Sequence, residues 1–226
     1  MLRFAQSFAA LLILSAGAAC ADETANALPA PALDNEPVQA SETAVLAGGC
    51  FWGMQGVFQH VKGVKQVLAG YAGGDPSMGN YEAVSTGTTG NAESVQIVFD
   101  PKIVSYGQIL RIYFSVMDPT TLNYQGPDEG TQYRSEIFAA NPDQQRIASA
   151  YIAQLETAHA FSAPIVTQIA ASKGFVRAEG YHQDYLINHP DQPYIVINDE
   201  PKIEKFKRLY PQFYVERPVT VARNGG

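Results

Sequence analysis

Cys50 is the residue best placed to do chemistry. It lies in Ala47-Gly48-Gly49-Cys50-Phe51-Trp52-Gly53, after an apolar run, Thr43 to Ala47, that reads as a strand, and before a segment, Met54 to Val61, that reads as a short helix. A cysteine at a strand-to-helix junction meets unpaired backbone N–H groups and the positive end of a helix dipole, and both favour a thiolate. The glycines permit a tight turn and close approach of a ligand to the backbone. Phe51 and Trp52, the latter the one tryptophan of the chain, put an apolar wall beside the sulfur. Such a site suits a substrate that carries a small apolar group next to a polar one. Spacing alone is equally compatible with a buried, inert thiol, as most free cysteines are.

Other groups could join it. Glu93 opens an alternating strand, Ala92 to Phe99, in which Val95, Ile97 and Phe99 share a face. A carboxyl desolvated against Phe51 and Trp52 would favour its acid form and could donate a proton, although a solvated Glu at a strand end is the plainer reading. Tyr81 and Tyr133 fall in loops and could donate O–H bonds to a developing oxyanion. Asp128 could hold a backbone amide of a peptide. The histidines are His60, His159, His182 and His189, and none forms the H-x-x-x-H or C-x-x-C spacing of a metal site, so no metal is expected. His182 could serve Cys50 as a base, which would make a cysteine hydrolase or acyl transferase. A non-enzymatic module that binds through the Phe51/Trp52 wall is a third reading.

These residues must be carried by a compact scaffold. A strand is expected from Val64 and a polar loop over 75–90. A helix capped by Ser105 runs through Met117, with Ile109, Ile112 and Tyr113 at helical spacing. After a second polar loop, Thr120 to Gly130, come a strand over Arg134 to Ala140 and a long helix opened by Asn141-Pro142-Asp143. A strand over Ile165 to Ala170, a short helix over Tyr181 to Leu186, a basic helical stretch over Pro201 to Leu209 and an extended tail complete the chain. This order predicts an α+β fold, a two-layer sandwich with helices on one face of a mixed sheet.

The 226 residues are 46% hydrophobic and 16% charged, enough for one sizeable core. The net charge of −7 and the absence of a basic run argue against nucleic acid as a partner. Residues 1–21 follow the n-region, h-region and A-x-A pattern of a secretory signal peptide, with Arg3, the run Phe8 to Leu14, and Ala19-Cys20-Ala21. The apolar run is too short to span a bilayer, which takes ~20 residues, so no transmembrane segment is expected in the mature chain. Gly17 stands where a lipoprotein carries an apolar residue, so Cys20 is expected to leave with the leader rather than to be lipidated. The expected location is outside the cytoplasm, in a bacterial periplasm. Residues 22–42 read as a flexible linker, 43–210 as the catalytic domain and 211–226 as a C-terminal tail. Cys50 would then be an unpaired thiol in an oxidising compartment, which favours a chemical role.

Several motifs, in order, resemble those of the A-type peptide methionine sulfoxide reductases. They are Gly49-Cys50-Phe51-Trp52-Gly53, Gly70-Tyr71-Ala72-Gly73-Gly74, Asn80-Tyr81, Ala92-Glu93 through Phe99-Asp100-Pro101, the block from Asp118 to Ser135, and Ala178-Glu179 with Tyr181 to Leu186. The resemblance spans about residues 43–210. It implies a core related to the ferredoxin-like split β-α-β and reduction of the S epimer of methionine sulfoxide, free or in proteins, as repair of oxidative damage. By the same resemblance Cys50 attacks the sulfoxide sulfur, Glu93 protonates its oxygen, and Tyr81 and Tyr133 stabilise the charge there. Phe51 and Trp52 hold the methyl group, Asp128 orients the main chain, and His182 and Tyr185, counted with the substrate-binding residues, support the site rather than react. No bound cofactor is implied.

The sequence departs from the family at three places. Many members carry a resolving cysteine in a C-terminal tail, and none lies within 198–226. The implied cycle therefore uses an external reductant: a thioredoxin-like protein, a glutaredoxin or a small thiol. Gln55 stands where the family often has Glu, and Gly180 where an acid is common.

Overall fold

The structure, a computed structural model, describes residues 27–36 and 39–221. The leader over 1–21 lies outside the described residues. The elements are β1 (Glu42–Gly48), α1 (Phe51–Gln59), β2 (Val64–Ala72), α2 (Tyr81–Val84), β3 (Ala92–Phe99), α3 (Tyr106–Val116), β4 (Tyr124–Gln125), β5 (Asp128–Glu129), β6 (Ser135–Ala139), α4 (Pro142–Thr157), β7 (Gln168–Ala171), β8 (Phe175–Arg177), α5 (Tyr185–Asn188) and α6 (Glu200–Leu209). A single turn of π-helix, Ile195–Asp199, runs directly into α6.

The main sheet has the order β7-β6-β1-β3-β2-β8. β3 lies antiparallel between β1 and β2, and β6 lies antiparallel on the other side of β1. The sequence β1-α1-β2 followed by β3-α3-β6 thus forms two interlocked split β-α-β units, the ferredoxin-like arrangement, extended by antiparallel β8 and parallel β7. The fold is α+β with a mixed sheet.

Alternation along the strands decides what faces the helices. Ala44 and Leu46 of β1 and Val95, Ile97 and Phe99 of β3 enter the main core with Met54, Val57 and Phe58 of α1 and Ile109, Ile112 and Tyr113 of α3. Val45 and Ala47 point to the other face and join Ala72, Ala92 and Phe138. Glu93 has the parity of Val95, Ile97 and Phe99, so it sits on the helix side at the start of β3. Because β1 and β3 are antiparallel, the end of β1 and the start of β3 lie together. That topology brings Glu93 beneath the residue that caps α1, Cys50.

Two segments flanking the domain pack against it. Residues 27–36, within the stretch read as a flexible linker, dock on α3 and α4. The Leu28 carbonyl accepts from Arg111 Nε at 2.7 Å, the Pro29 carbonyl from the Tyr151 hydroxyl at 2.9 Å, and the Ala32 N–H donates to Gln154 Oε1 at 2.8 Å. Asp34 accepts from the Gly107 N–H at 3.1 Å and from the Ser105 hydroxyl, which itself caps α3 through the Gln108 N–H. The prolines and alanines that looked like linker composition leave backbone carbonyls free for these bonds. Asp34→Ala is expected to lower unfolding stability by about 1–2 kcal/mol, the scale of a lost cap, measured by denaturant melts of the mature protein.

The tail is also docked as far as residue 221. The Lys62 N–H donates to the Phe213 carbonyl at 2.7 Å, Val215 to His60 at 2.8 Å and Val219 to Gln59 at 3.0 Å. These bonds lie at the C-terminal end of α1. Cys50 is at the other end, about 13 Å away along a nine-residue helix.

Candidate active site

Gly49 turns the chain from β1 into α1 with a positive φ of 85°. Its missing side chain makes room for Gln125, whose Cβ would lie 2.5 Å from a Cβ placed there. Gln125 in turn accepts the Asp118 N–H at 3.0 Å and donates to Thr121 Oγ1 at 2.9 Å. The β4–β5 hairpin is thereby pinned over Gly49, and Asp128 on β5 reaches the site.

Cys50, Phe51, Trp52, Tyr81, Glu93, Asp128, Tyr133 and Tyr194 line one cavity of about 170 Å³. Pockets for drug-sized ligands run to roughly 300–1,000 Å³, so this one is scaled to a single side chain. Glu93 is buried, and its Oε2 accepts the Phe51 N–H at 3.0 Å, one of the unpaired donors at the start of α1. Burial pushes the Glu93 carboxyl up to about 8 against the pull of that bond, and the nearby Asp128 and Asp199 add to the rise. At neutral pH Glu93 therefore carries a proton it can donate.

The helix end supports the Cys50 sulfur through the Trp52 N–H, but burial outweighs it, and the Glu93 and Asp199 charges push the thiol the same way. Burial thus favours the thiol form of Cys50. The expected thiolate bias of the helix junction exists and is overridden by desolvation. Burial also pushes the Tyr133 phenol up, so it remains an O–H donor.

Asn80 caps α2 through the Ala83 N–H at 3.0 Å, and Glu179 accepts the Tyr81 N–H at 2.9 Å, which together fix Tyr81 at the mouth of the cavity. His182 and Tyr185 do not line the cavity. They brace Trp52 from behind. Trp52 Nε1 donates to His182 Nδ1 at 3.1 Å, and Tyr185 stacks on the indole with centroids 3.9 Å apart. Neither ring nitrogen of His182 bonds the Cys50 sulfur. That geometry removes the base a hydrolase reading needs.

The sequence reading missed Tyr194. It sits at the head of the π-turn, meets Trp52 edge-on at 6.0 Å and donates its hydroxyl to Asp128 Oδ2. The chain has 12 tyrosines, and no spacing marks this one, because its neighbours in the cavity come from β3, β5 and α1.

Gln55 has a structural role. Its Nε2 donates to the Val67 carbonyl at 3.0 Å and to Gln183 Oε1 at 3.1 Å, while its Oε1 accepts the Asp184 N–H at 2.9 Å. A carboxylate could not donate these bonds. The amide locks the segment bearing His182 onto α1. Among the described residues no group of three His, Cys, Asp or Glu could hold a metal ion.

A buried acid beside a buried sulfur in a side-chain-sized cavity fits an oxidoreductase. The family model for peptide methionine sulfoxide reductase matches residues 42–213, and the chain belongs to that family. It is 56% identical over 190 residues to peptide methionine sulfoxide reductase MsrA 2 of Mesorhizobium japonicum, covering 84% of this chain and 97% of that one. With the protein of the same name from Synechocystis sp. it shares 46% over 204 residues, 88% and 95% of the two chains. The fold is similar to the crystal structure of reduced Mxr1 from Saccharomyces cerevisiae, with a TM-score of 0.61 at 31% identity over 71% of this chain and 92% of the other. It is likewise similar to methionine sulfoxide reductase A of Corynebacterium diphtheriae, with a TM-score of 0.58 at 30% identity over 74% and 84%. The protein is an enzyme of methionine sulfoxide reduction and repair.

Proposed function

We propose that the enzyme reduces the S epimer of methionine sulfoxide, free or in proteins, through a sulfenic acid on Cys50, and that an external thiol regenerates it. The observation that carries this reading is the pairing of Cys50 with a protonated, buried Glu93 inside one aromatic-walled cavity. The sulfoxide methyl packs against Phe51 and Trp52, and its oxygen faces Glu93, Tyr81 and Tyr133. Glu93 gives its proton to the oxygen as the Cys50 sulfur attacks the sulfoxide sulfur. The attack forms an Sγ–S bond; the oxygen then passes to Sγ as the S–O and Sγ–S bonds break, which leaves methionine and a Cys50 –SOH, and the thiol proton returns to Glu93. Atoms balance as thiol plus sulfoxide giving sulfenic acid plus thioether. The other epimer would turn its oxygen into the apolar wall.

Cys20 and Cys50 are the two cysteines of the chain. With Cys20 removed in the leader, no internal thiol remains to form a disulfide. A thioredoxin-like protein, a glutaredoxin or a small thiol then attacks the sulfenic sulfur, releases water and forms a mixed disulfide, which a second thiol opens to free Cys50. The leader pattern supports export to a bacterial periplasm.

Turnover of each epimer by mature protein with excess dithiothreitol tests the proposal. Loss of the S epimer and retention of the R epimer are expected. Equal consumption of both would remove the steric assignment of Phe51 and Trp52.

A further inference from the structure

Asp199 and Lys202 form an ion pair against the first turn of α1. Asp199 is 0% exposed, and the Lys202 ammonium is 2.8 Å from its Oδ1 with 20% of the side chain exposed. The other carboxylate oxygen, Oδ2, is buried without a hydrogen-bond partner. The pair is pressed against Gly53, where an added Cβ would lie 2.1 Å from Asp199 Oδ1 and 3.0 Å from Lys202 Nζ. Gly53 is in the first turn of the helix that Cys50 caps. Glycine inside a helix costs about 0.5–1 kcal/mol relative to alanine, and here only glycine admits the pair.

A buried pair with an orphaned oxygen is a poor device for stability, because apolar replacements of such pairs are often neutral or stabilising. Its position gives it another use. The charged and titratable groups that act on Cys50 or share its cavity are Glu93 on β3, Asp128 on β5, Tyr133 before β6, Tyr81 on α2, Tyr194 on the π-turn, and Asp199 with Lys202 at the start of α6. Among the described residues Lys202 is the cation of this set. Every other group is an acid or a phenol.

We propose that Lys202 is a positioning residue for the reaction: anchored by Asp199 against Gly53, it supplies the positive charge that lets Cys50 ionise within a surround of acids. Asp199 both holds Lys202 in place and opposes it, so the pair sets the reactivity of the sulfur. Burial pushes the Asp199 carboxyl up, while Lys202 holds it back. The proposal rests on Cys50 being the attacking sulfur, but it is tested on thiol reactivity, apart from sulfoxide turnover.

The experiment follows the rate of Cys50 alkylation by iodoacetamide against pH in the mature protein, read by mass on the Cys50 peptide. Lys202→Met is expected to move the midpoint up by about one unit and slow alkylation at neutral pH about tenfold. Lys202→Arg is expected to restore the wild-type profile. Asp199→Asn keeps an acceptor for Lys202 and removes the opposing charge, so its midpoint moves down. Opposite shifts separate an electrostatic role from a packing defect, which would move both variants the same way. An unchanged midpoint in Lys202→Met, or equal shifts in both variants, overturns the proposal. Should Asp199→Asn fail to fold, the Lys202→Met and Lys202→Arg pair decides it: failure of Arg to restore the profile counts against the charge. If the profiles shift as expected while no sulfoxide is consumed, the fault lies with the function and not with this inference.

Discussion

Glu93→Gln is expected to cut kcat/KM for the S sulfoxide by about 10²–10⁴-fold, the usual value of a positioned general acid, and to make the protein more stable. The amide can still accept the Phe51 N–H, so the start of α1 keeps its partner. It has no acidic proton to give the sulfoxide oxygen. The stability gain follows from burial. The Glu93 carboxyl lies at about 8 in the fold against an ordinary 4.5, so the folded chain binds this proton more tightly than the unfolded one. Its contribution is full below about 4.5 and is lost as pH rises through about 8, when a carboxylate must be held in the core. The glutamine variant pays no such penalty. The difference in stability is therefore small at pH near 5 and grows toward pH 9, with a ceiling of about 4–5 kcal/mol. Thermal melts at both pH values check the sign, and a variant less stable than wild type at alkaline pH contradicts it. The wild-type rate should fall on the alkaline side as Glu93 loses its proton, and this limb should be absent from the residual activity of Glu93→Gln.

Cys50→Ser is expected to remove turnover, by about 10⁴-fold or more, while leaving sulfoxide binding in place. A hydroxyl in this cavity lacks the nucleophilicity to attack sulfur, yet Phe51, Trp52, Tyr133 and Asp128 still line it. The complementary result belongs to the wild type. Without reductant it should release one equivalent of methionine per enzyme and stop, with Cys50 heavier by the mass of one oxygen. A disulfide within the mature chain would contradict the external-thiol cycle. Mass analysis of the Cys50 peptide after a single turnover distinguishes these outcomes. Persistent turnover in Cys50→Ser would sink the assignment of the nucleophile.

The local elements around Cys50 were readable because their causes are local. A glycine pair before a cysteine and an apolar helix after it mark the β1–α1 turn, period-two alternation marks β3, and Ser105 and Asn141 mark the caps of α3 and α4. The order of these elements pointed to an α+β sheet with helices on one face. The motif series pointed to the family, to the split β-α-β core, and to Cys50, Glu93, Tyr81, Tyr133, Phe51, Trp52 and Asp128, which the fold gathers in one cavity.

Other features depend on contacts between segments far apart in the chain. Residues 27–36 have linker composition, and only the donors on Arg111, Tyr151 and Gln154 show why they dock. His182 looks like a candidate base until the Trp52 indole claims its Nδ1. Tyr194 carries no local signature, since its partner Asp128 lies on β5, and although Asp199 and Lys202 have the i,i+3 spacing of a helical pair, their seat against Gly53 of α1 is tertiary. The protonation of Cys50 and Glu93 is likewise tertiary. A helix N-terminus favours a thiolate on paper, but desolvation scales with everything packed around the sulfur. Sequence by itself determined the candidate groups and the elements that bear them. Tertiary structure decided their burial, their charge states and which neighbours face them, because these are sums over residues that chain order does not bring together.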